Sequence, residues 1–173
     1  MAEYIEKMRI TIGVSRAGEP DIEGCFSLSP LSEHHSGAET LLEFLNERRR
    51  VLPFLRQDGM VMLLARHDVQ WVFAGPNVPA ELVRPRGFRF TREERVRVRL
   101  CGGEELEGLL QMELPDPVNR ASDYLNGPDD FFPLTARDGI YLVQKHHARE
   151  TILFEASPVP VARSAYSGKS DAA

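Results

Sequence analysis

Two stretches of the chain, residues 44–67 and 124–147, decide the fold: FLNERRRVLPFLRQDGMVMLLARH and YLNGPDDFFPLTARDGIYLVQKHH. Aligned without a gap, both contain Leu-Asn, then Pro, then Asp-Gly, then His at the same spacing, and the apolar positions between these identities also match. Recurrence at a fixed spacing is the signature of a repeated structural unit. The pair therefore predicts a tandem duplication. The alternative is one larger domain in which similar hairpins coincide.

The segments that precede these two stretches also match, apart from small differences in loop length. MRITIGV (Met8–Val14) and RVRVRL (Arg95–Leu100) alternate apolar and polar residues, and each is followed by a turn-rich stretch, a Glu-Gly pair and an apolar run. Alternation with a period of two residues is typical of half-buried strands. In RVRVRL the apolar residues should point inward and the arginines toward solvent. These arginines are Arg95, Arg97 and Arg99.

Two further strands of each unit follow from apolar runs. GMVMLLAR (residues 59–66) and GIYLVQK (residues 139–145) are apolar on both faces, which predicts central strands, each entered through an Asp-Gly turn. A three-residue corner then leads to another short strand, VQWVF in the first unit and ETILFE in the second.

A helix is expected between the second and third strands of each unit. Ser36 and Glu39 have the spacing of a capping box and are followed by leucines at helical spacing, which predicts a helix over about residues 38–48. In the second unit, Gly127-Pro128 limits the helix to a turn or two ending at Asn126. Each unit then has about five strands, and a small, strongly bent barrel would close such a sheet and remove its edges.

These patterns divide the chain into a first unit at residues 1–75, a connector at 76–94, a second unit at 95–156 and a tail at 157–173. The connector is rich in proline and glycine and could add one strand at GFRF. The tail has few apolar residues to bury, so we expect it to be disordered.

Composition places the chain among ordinary globular proteins: 173 residues, 42% hydrophobic, 27% charged, with a net charge of −5. The acidic balance argues against a protein whose main task is to bind phosphate backbones. The N-terminal residues lack the apolar core of a signal peptide, and no apolar run approaches the roughly 20 residues that span a bilayer. We therefore expect a cytoplasmic protein with two reduced thiols, of which Cys25 is a small buried residue and Cys101 lies in a hairpin turn.

The segment LVQKHHARETI (residues 142–152) resembles the second signature of Sm-like barrels, in which a strand runs through a basic turn into a last short strand. It is similar to the Lys-His segment of the bacterial Sm-like RNA chaperone, whose Lys and His line an RNA-binding pore. The resemblance implies that Lys145 and His146 would contact RNA. The first unit departs from this pattern, since Ala65 stands where the Lys should be.

Residues 96–147 also resemble small bacterial proteins of unassigned function, whose pattern is a strand pair followed by Arg-x-x-Asp-x-Leu-Asn and Phe-x-x-Leu. The residues that carry this pattern are Arg120, Asp123, Leu125, Asn126, Phe131 and Leu134. Taken with the strand pattern, the two resemblances imply a mainly β fold with short helices: two tandem, five-stranded Sm-like or SH3-like barrels. Because the bacterial family has no settled activity, its resemblance leaves the function open.

No catalytic, cofactor-binding or metal-binding motif is found in the sequence. The histidine pairs His34-His35 and His146-His147 cannot place both members on one metal from a strand, since successive side chains point to opposite sides. Cys-x-x-Cys, His-x-x-x-His, Gly-x-Ser-x-Gly, Walker and dinucleotide patterns are absent. We expect no enzyme, no cofactor and no metal. His67 and His147 match across the repeat and are interpreted as corner residues that bond a turn carbonyl, with a catalytic base as the alternative.

Two charge features indicate binding surfaces. The first is a run of arginines from Arg84 to Arg99, which could bind an anion such as RNA or could form a solvated strand face. The second is a reversal of sign, because ERRR (residues 47–50) aligns with GPDD (residues 127–130). In a pseudo-twofold or head-to-tail arrangement the arginine loop of one unit could meet the acidic loop of another. The residues concerned are Arg48, Arg49, Arg50, Asp129 and Asp130.

The expected function is therefore non-catalytic: a cytoplasmic adaptor of two repeated small barrels that binds a protein partner or itself. The alternative is an Sm-like RNA-binding protein. Its nucleic-acid contacts would be Arg95, Arg97, Arg99, Lys145 and His146. No membrane partner is expected.

Overall fold

The structure, a computed structural model, describes residues 7–85, 88–113 and 120–154. These ranges contain ten strands and three short helices. In chain order they are β1 (Met8–Arg16), β2 (Glu19–Leu28), α1 (Leu41–Asn46), β3 (Val51–Arg56), β4 (Val61–Ala65), β5 (Val69–Ala74), α2 (Ala80–Val83), β6 (Arg92–Leu100), β7 (Glu105–Met112), α3 (Ala121–Leu125), β8 (Phe131–Thr135), β9 (Ile140–Gln144) and β10 (Ala148–Leu153). Short 3-10 turns, Arg66–Asp68 and Lys145–His147, connect β4 to β5 and β9 to β10. The fold is mainly β, as predicted.

All ten strands form one open antiparallel sheet in the order β10-β6-β7-β8-β9-β5-β1-β2-β3-β4. The first five strands are arranged as 5-1-2-3-4, and the last five have the same order. The expected closed barrels are not found. The chain turns tightly from β4 to β5, and β5 then pairs with β9 of the second half rather than closing the first half on itself. In the part of the chain that the structure describes, β4 and β10 therefore remain as free edges.

Two apolar clusters pack against the sheet, and the strands at the junction contribute to both. The first cluster contains side chains of β1–β5 and α1 together with Phe131 and Leu142 from the second half. The second contains side chains of β6–β9 together with Trp71 from the first half. The predicted alternation in β6 is confirmed, since Val96 and Val98 are fully buried. The two halves are thus packed as one unit.

Matching glycines let the second and third strands of each half approach closely. A Cβ atom at Gly24 would lie 2.3 Å from the carbonyl oxygen of Leu55, and one at Gly108 would lie 2.7 Å from that of Thr135. Ladder pairing between these strands is limited to two residue pairs in the first half and one in the second. The two Glu-Gly pairs seen in the sequence therefore mark a close backbone contact.

Helix α1 begins later than predicted, because its capping box uses Thr40 and Glu43 rather than Ser36 and Glu39. The Glu43 N–H donates to the Thr40 hydroxyl at 3.2 Å, and the Thr40 N–H donates to the Glu43 carboxylate at 2.7 Å. Glu39 instead accepts a hydrogen bond from the Ser29 N–H at 2.8 Å and so ties the loop to the end of β2. Both pairs have the spacing of a capping box, so spacing alone could not decide between them. The short helix predicted before Asn126 is confirmed as α3.

Several other predictions need correction. Residues 88–91 of the connector form no strand, and the connector contains α2 instead. Of the two strands predicted to be central, only β9 is; β4 lies at the edge of the sheet. Cys25 is only half-buried, because it lies on the less enclosed face of β2. The tail at residues 157–173 lies outside the described residues.

Among the described helices, none combines the length and the apolar character needed to cross a membrane.

Candidate functional site at the two ends of the sheet

The junction between the halves is an antiparallel pairing of β5 with β9, in which Trp71 lies opposite Val143 and Phe73 lies opposite Tyr141. The Tyr141 ring centroid lies 4.7 Å from that of Phe73 and 5.3 Å from that of Trp71, which it meets edge-on. The Trp71 indole N–H donates to the Glu104 carboxylate at 3.1 Å. Aromatic contacts of this geometry stabilise a structure beyond the apolar area that they bury.

Two polar side chains of the first half, Asn46 and Arg66, bind residues at the start of β8 in the second half. The Asn46 amide donates to the Phe131 carbonyl oxygen at 3.2 Å, and its side-chain oxygen accepts from the Phe131 N–H at 2.8 Å. Arg66 donates to the Leu45 carbonyl oxygen at 2.8 Å and to the Asp130 carboxylate at 2.7 Å. Its guanidinium also lies over the Phe131 ring, 5.3 Å from the centroid. The junction is thus held by side-chain contacts as well as by strand pairing.

The two histidines that match in the sequence alignment are not at equivalent places, because the Ala17 N–H bonds the Asp68 carbonyl oxygen and the corresponding Cys101 N–H bonds that of His147. His147 is buried, and its Nε2 lies 2.6 Å from the His67 carbonyl oxygen, to which it donates in the Nε2-protonated tautomer. The His67 side chain is 79% exposed and lies 3.2 Å from Asp68. The interpretation as a corner residue that bonds a turn carbonyl therefore fits His147 and not His67.

The two free edges of the sheet carry most of the exposed large apolar side chains in the described part of the chain. Six of the nine such residues lie on β4, on β10 or next to them. They are Met60, Val61 and Leu63 at one end and Ile152, Leu153 and Phe154 at the other. Folded proteins normally cover an unpaired apolar strand or protect it with charges. The two edges therefore form the candidate binding site of this protein.

Positions that match across the repeat are buried at the junction and exposed at the free end. Leu63 of β4, opposite Pro53, is 67% exposed, whereas Leu142 of β9, opposite the matching Pro133, is fully buried. Val51 of β3 is 46% exposed, whereas Phe131 of β8 is 1% exposed. The second half buries these positions because the first half packs beside them, and the described residues place no such neighbour beside β4.

The charged loops that the sequence singled out are engaged within the chain. Arg49 forms an ion pair with Glu47, approaches Glu39 to 3.8 Å and lies over the Phe44 ring. Asp130 binds Arg66. The remaining members of the two loops, Arg48, Arg50 and Asp129, are exposed. Among the described residues, no ion pair links the arginine loop to the acidic loop.

The arginines of β6 are paired with carboxylates of the neighbouring strands. Arg95 forms an ion pair with Glu107, which also accepts a hydrogen bond from Arg97 at 3.3 Å. Arg99 lies 3.2 Å from Glu150 on β10. The hydrogen bond from Arg95 is the main cause that lowers the pKa of Glu107. This strand face therefore carries balanced charge.

Lys145 and His146, the residues that match the Sm-like pattern, lie in the turn between β9 and β10. The Lys145 ammonium donates to the Gly127 carbonyl oxygen at 3.1 Å, and burial lowers the pKa of Lys145. The His146 side chain is exposed and meets the His147 ring edge-on. His146 is thus the more exposed residue of the pair.

A polar cluster at the start of α1 is explained by the helix cap. The hydrogen bond to Glu43 raises the pKa of His35 above 6.5. Burial alone would raise the pKa of Glu43, but hydrogen bonds from Thr40, Ser32 and His35 outweigh it and hold that pKa below 4.5. Burial raises the pKa of Glu39. In residues 7–85, 88–113 and 120–154, no group of three or more His, Cys, Asp or Glu side chains could hold a metal ion.

Sequence reasoning missed the apolar edges, because β4 and β9 have similar apolar patterns and the pattern does not reveal which of them has a neighbour. The sequence differs in the strand that precedes each of them, which is VLPFL before β4 and FFPLT before β9. Only the second begins with two aromatic residues, and this was the available signal that β9 is covered. Comparison with known protein families, with curated proteins and with solved structures gives no match.

Proposed function

We propose that this chain is a non-catalytic, cytoplasmic interaction module, built from two repeated small five-stranded units, that binds protein through the two end strands of its sheet. The observation that carries the proposal is the exposure of apolar side chains along both free edges. At one edge, Val61 and Leu63 are each 67% exposed, and at the other Leu153 is 47% exposed.

The chemistry of a free strand edge favours a protein partner. Such an edge presents unpaired backbone N–H and C=O groups, and an added strand satisfies them with main-chain hydrogen bonds while its side chains cover the apolar residues. The sequence of β4, VMLLA, contains no charged residue and no proline that would discourage such pairing.

Support for two repeated units comes from the shared strand order and from the helices α1 and α3 at equivalent places. The matching glycines at the second strand, Gly24 and Gly108, make the same close approach to the third strand. We propose that each five-stranded unit is related to a small Sm-like or SH3-like barrel, in which the β5–β9 pairing replaces closure.

The nucleic-acid alternative has less support. The charge of Arg95, Arg97 and Arg99 is offset by neighbouring carboxylates. The ammonium of Lys145 already donates to a backbone carbonyl. A surface that neutralises phosphates needs free basic groups.

The test is affinity purification from the native cytoplasm with the wild type, two edge variants and a control. Leu63→Lys alters one edge and Leu153→Lys the other. Leu31→Lys is the matched control, because Leu31 is 70% exposed and lies in the loop between β2 and α1, outside both edge strands. We expect a protein companion that survives nuclease, is retained by the control and is lost with an edge variant. Companions that disappear with nuclease, or that both edge variants retain, would refute the proposal.

A further inference from the structure

The free strands β4 and β10 are the counterparts of the two strands that meet inside the molecule. In the common order 5-1-2-3-4, β10 occupies the place of β5, and β4 occupies the place of β9. We propose that β4 of one copy pairs antiparallel with β10 of the next, so that the chain assembles head to tail. This inference rests on the proposed function and names its partner, a second copy of this chain.

The internal pairing also fixes the register expected between copies. Ala74 lies opposite Ile140 at the junction. The ladders with the neighbouring strands place Leu153 of β10 where Ala74 lies in β5, and Val61 of β4 where Ile140 lies in β9. In the proposed contact Leu153 of one copy therefore faces Val61 of the next. Both side chains are exposed in the single chain, so their removal from water favours association.

The exposed apolar residues coincide with this contact. To the six residues on the two edges, Val51 adds a seventh among the nine exposed large apolar residues of the described chain. Each of the seven matches a position in or beside the internal junction. Leu153 is 47% exposed, while Ala74, at the equivalent place in β5, is 2% exposed. Pro53 is exposed while its counterpart Pro133 is buried. A second copy whose β10 pairs with β4 would bury these exposed positions as well.

Some of the polar side chains that hold the junction together have counterparts at the free ends of the sheet. Asn46 binds the backbone N–H and C=O of Phe131. Its counterpart Asn126 is exposed at the end of α3, and the counterpart of Phe131 is the exposed Val51. In the head-to-tail assembly Asn126 of one copy is placed to bind the backbone of Val51 in the next.

One contact of the internal junction has no counterpart between copies. We therefore expect the contact between copies to be weaker than the internal junction. Arg66 binds Asp130 inside the chain. Their counterparts, Lys145 and Arg50, are both basic. Association between copies also costs translational and rotational freedom that the covalent chain has already lost. The assembly should therefore depend on concentration, and added salt should not weaken it.

The symmetry of the assembly follows from the use of two different edges. A contact between unlike surfaces gives a ring where the rotation closes and a filament where it does not. A symmetric dimer through two copies of β4, or through two copies of β10, is excluded by the proposal.

The experiment mixes two singly substituted, differently tagged chains in a background of Cys25→Ser and Cys101→Ser. One chain carries Val61→Cys and the other Leu153→Cys, both at exposed positions where a substitution leaves the core intact. Under mild oxidation we expect a disulfide-linked heterodimer in the mixture and no product from either chain alone. Light scattering of the wild type should show masses above the 19.5 kDa of one chain. Asn126→Ala should weaken this association by roughly tenfold, because two hydrogen bonds are lost.

Products from Val61→Cys alone or Leu153→Cys alone would overturn the head-to-tail arrangement. No product in the mixture, together with a single-chain mass at all concentrations, would overturn the second copy as partner. In that case the purification with Leu63→Lys and Leu153→Lys still decides the proposed function, since another protein lost with an edge variant would leave that function standing.

Discussion

At the scale of single residues, Asn46 and Asn126 show what a sequence pattern can and cannot predict. Asn126 was expected at the end of a helix and is the C-cap of α3, while α1 ends at Asn46, two residues before the predicted end. The two hydrogen bonds from Asn46 to Phe131 were not predictable, because the two residues are 85 positions apart and nothing local to Asn46 specifies the strand beside it. The local role of a residue can thus follow from its neighbours in sequence, whereas its partner depends on the assembled sheet.

We expect Asn46→Ala to lower the free energy of unfolding by about 1–3 kcal/mol, because two hydrogen bonds are lost and the Phe131 backbone groups are left without their partner. Denaturant unfolding of the dilute single chain measures this. Asn126→Ala is the matched control and should change the stability of the single chain by less than about 0.5 kcal/mol, since Asn126 is exposed. Equal effects of the two variants would contradict the role given to Asn46.

At the scale of elements, alternation and turn signals predicted the strands well. The period of two in RVRVRL placed Val96 and Val98 in the core, because the side-chain direction of a strand follows directly from the spacing. The start of α1 was misplaced, because two residue pairs satisfy the same capping rule. The edge position of β4 could not be predicted, since pairing between distant strands leaves no mark on the strand itself.

The close contact between second and third strands predicts a steric penalty in both halves. Gly24→Ala and Gly108→Ala should each lower the free energy of unfolding by about 1–3 kcal/mol or more, because the added methyl group meets a backbone carbonyl that cannot move aside easily. Thermal unfolding checks this. Gly13→Ala is the control, since its Cβ atom would lie 3.7 Å from the Phe73 Cβ, an ordinary contact. A neutral Gly24→Ala would show that β2 and β3 separate without cost.

The His35–Glu43 contact at the start of α1 predicts a pH window of stability. Because the folded pKa of His35 is raised, its contribution is complete below pH 6.5 and is lost as the pH rises through that raised value. Because the folded pKa of Glu43 is lowered, its contribution is complete above pH 4.5 and is lost as the pH falls through that lowered value. The contact therefore stabilises the protein most between about pH 4.5 and 6.5.

Denaturant unfolding of wild type and His35→Gln across pH 3–9 measures this window. The difference between the two proteins should be largest inside it and should shrink above it, as His35 of the wild type loses its proton. A difference that is the same at every pH would mean that His35 contributes no charge to the contact.

At the scale of the whole molecule, the sequence predicted the number of strands in each half and the place of the helix, whereas the predicted closure of each half into a barrel is not found. Repeated local patterns specify a repeated unit, but they do not state whether its end strands meet each other or meet the neighbouring unit. In this protein, β5 of the first half pairs with β9 of the second half. The candidate site follows from this arrangement and therefore could not be located by any motif.

Because Phe131 and Leu142 belong to the core of the first half and Trp71 to that of the second, we expect the two halves to unfold in one step. Calorimetry should give equal calorimetric and van't Hoff enthalpies. Arg66→Ala is a useful comparison, because it weakens the junction and leaves both cores intact. Two separate transitions in the wild type would show that each half is stable without the other.

Trp71 is the sole tryptophan of the chain, and its indole sits where the two halves meet, beside Tyr141 and Glu104. The protein thus has an intrinsic fluorophore at the junction between its two halves. Its fluorescence emission should change when the two halves separate, so no chemical label is needed. Changes confined to the two outermost strands should leave the emission unchanged.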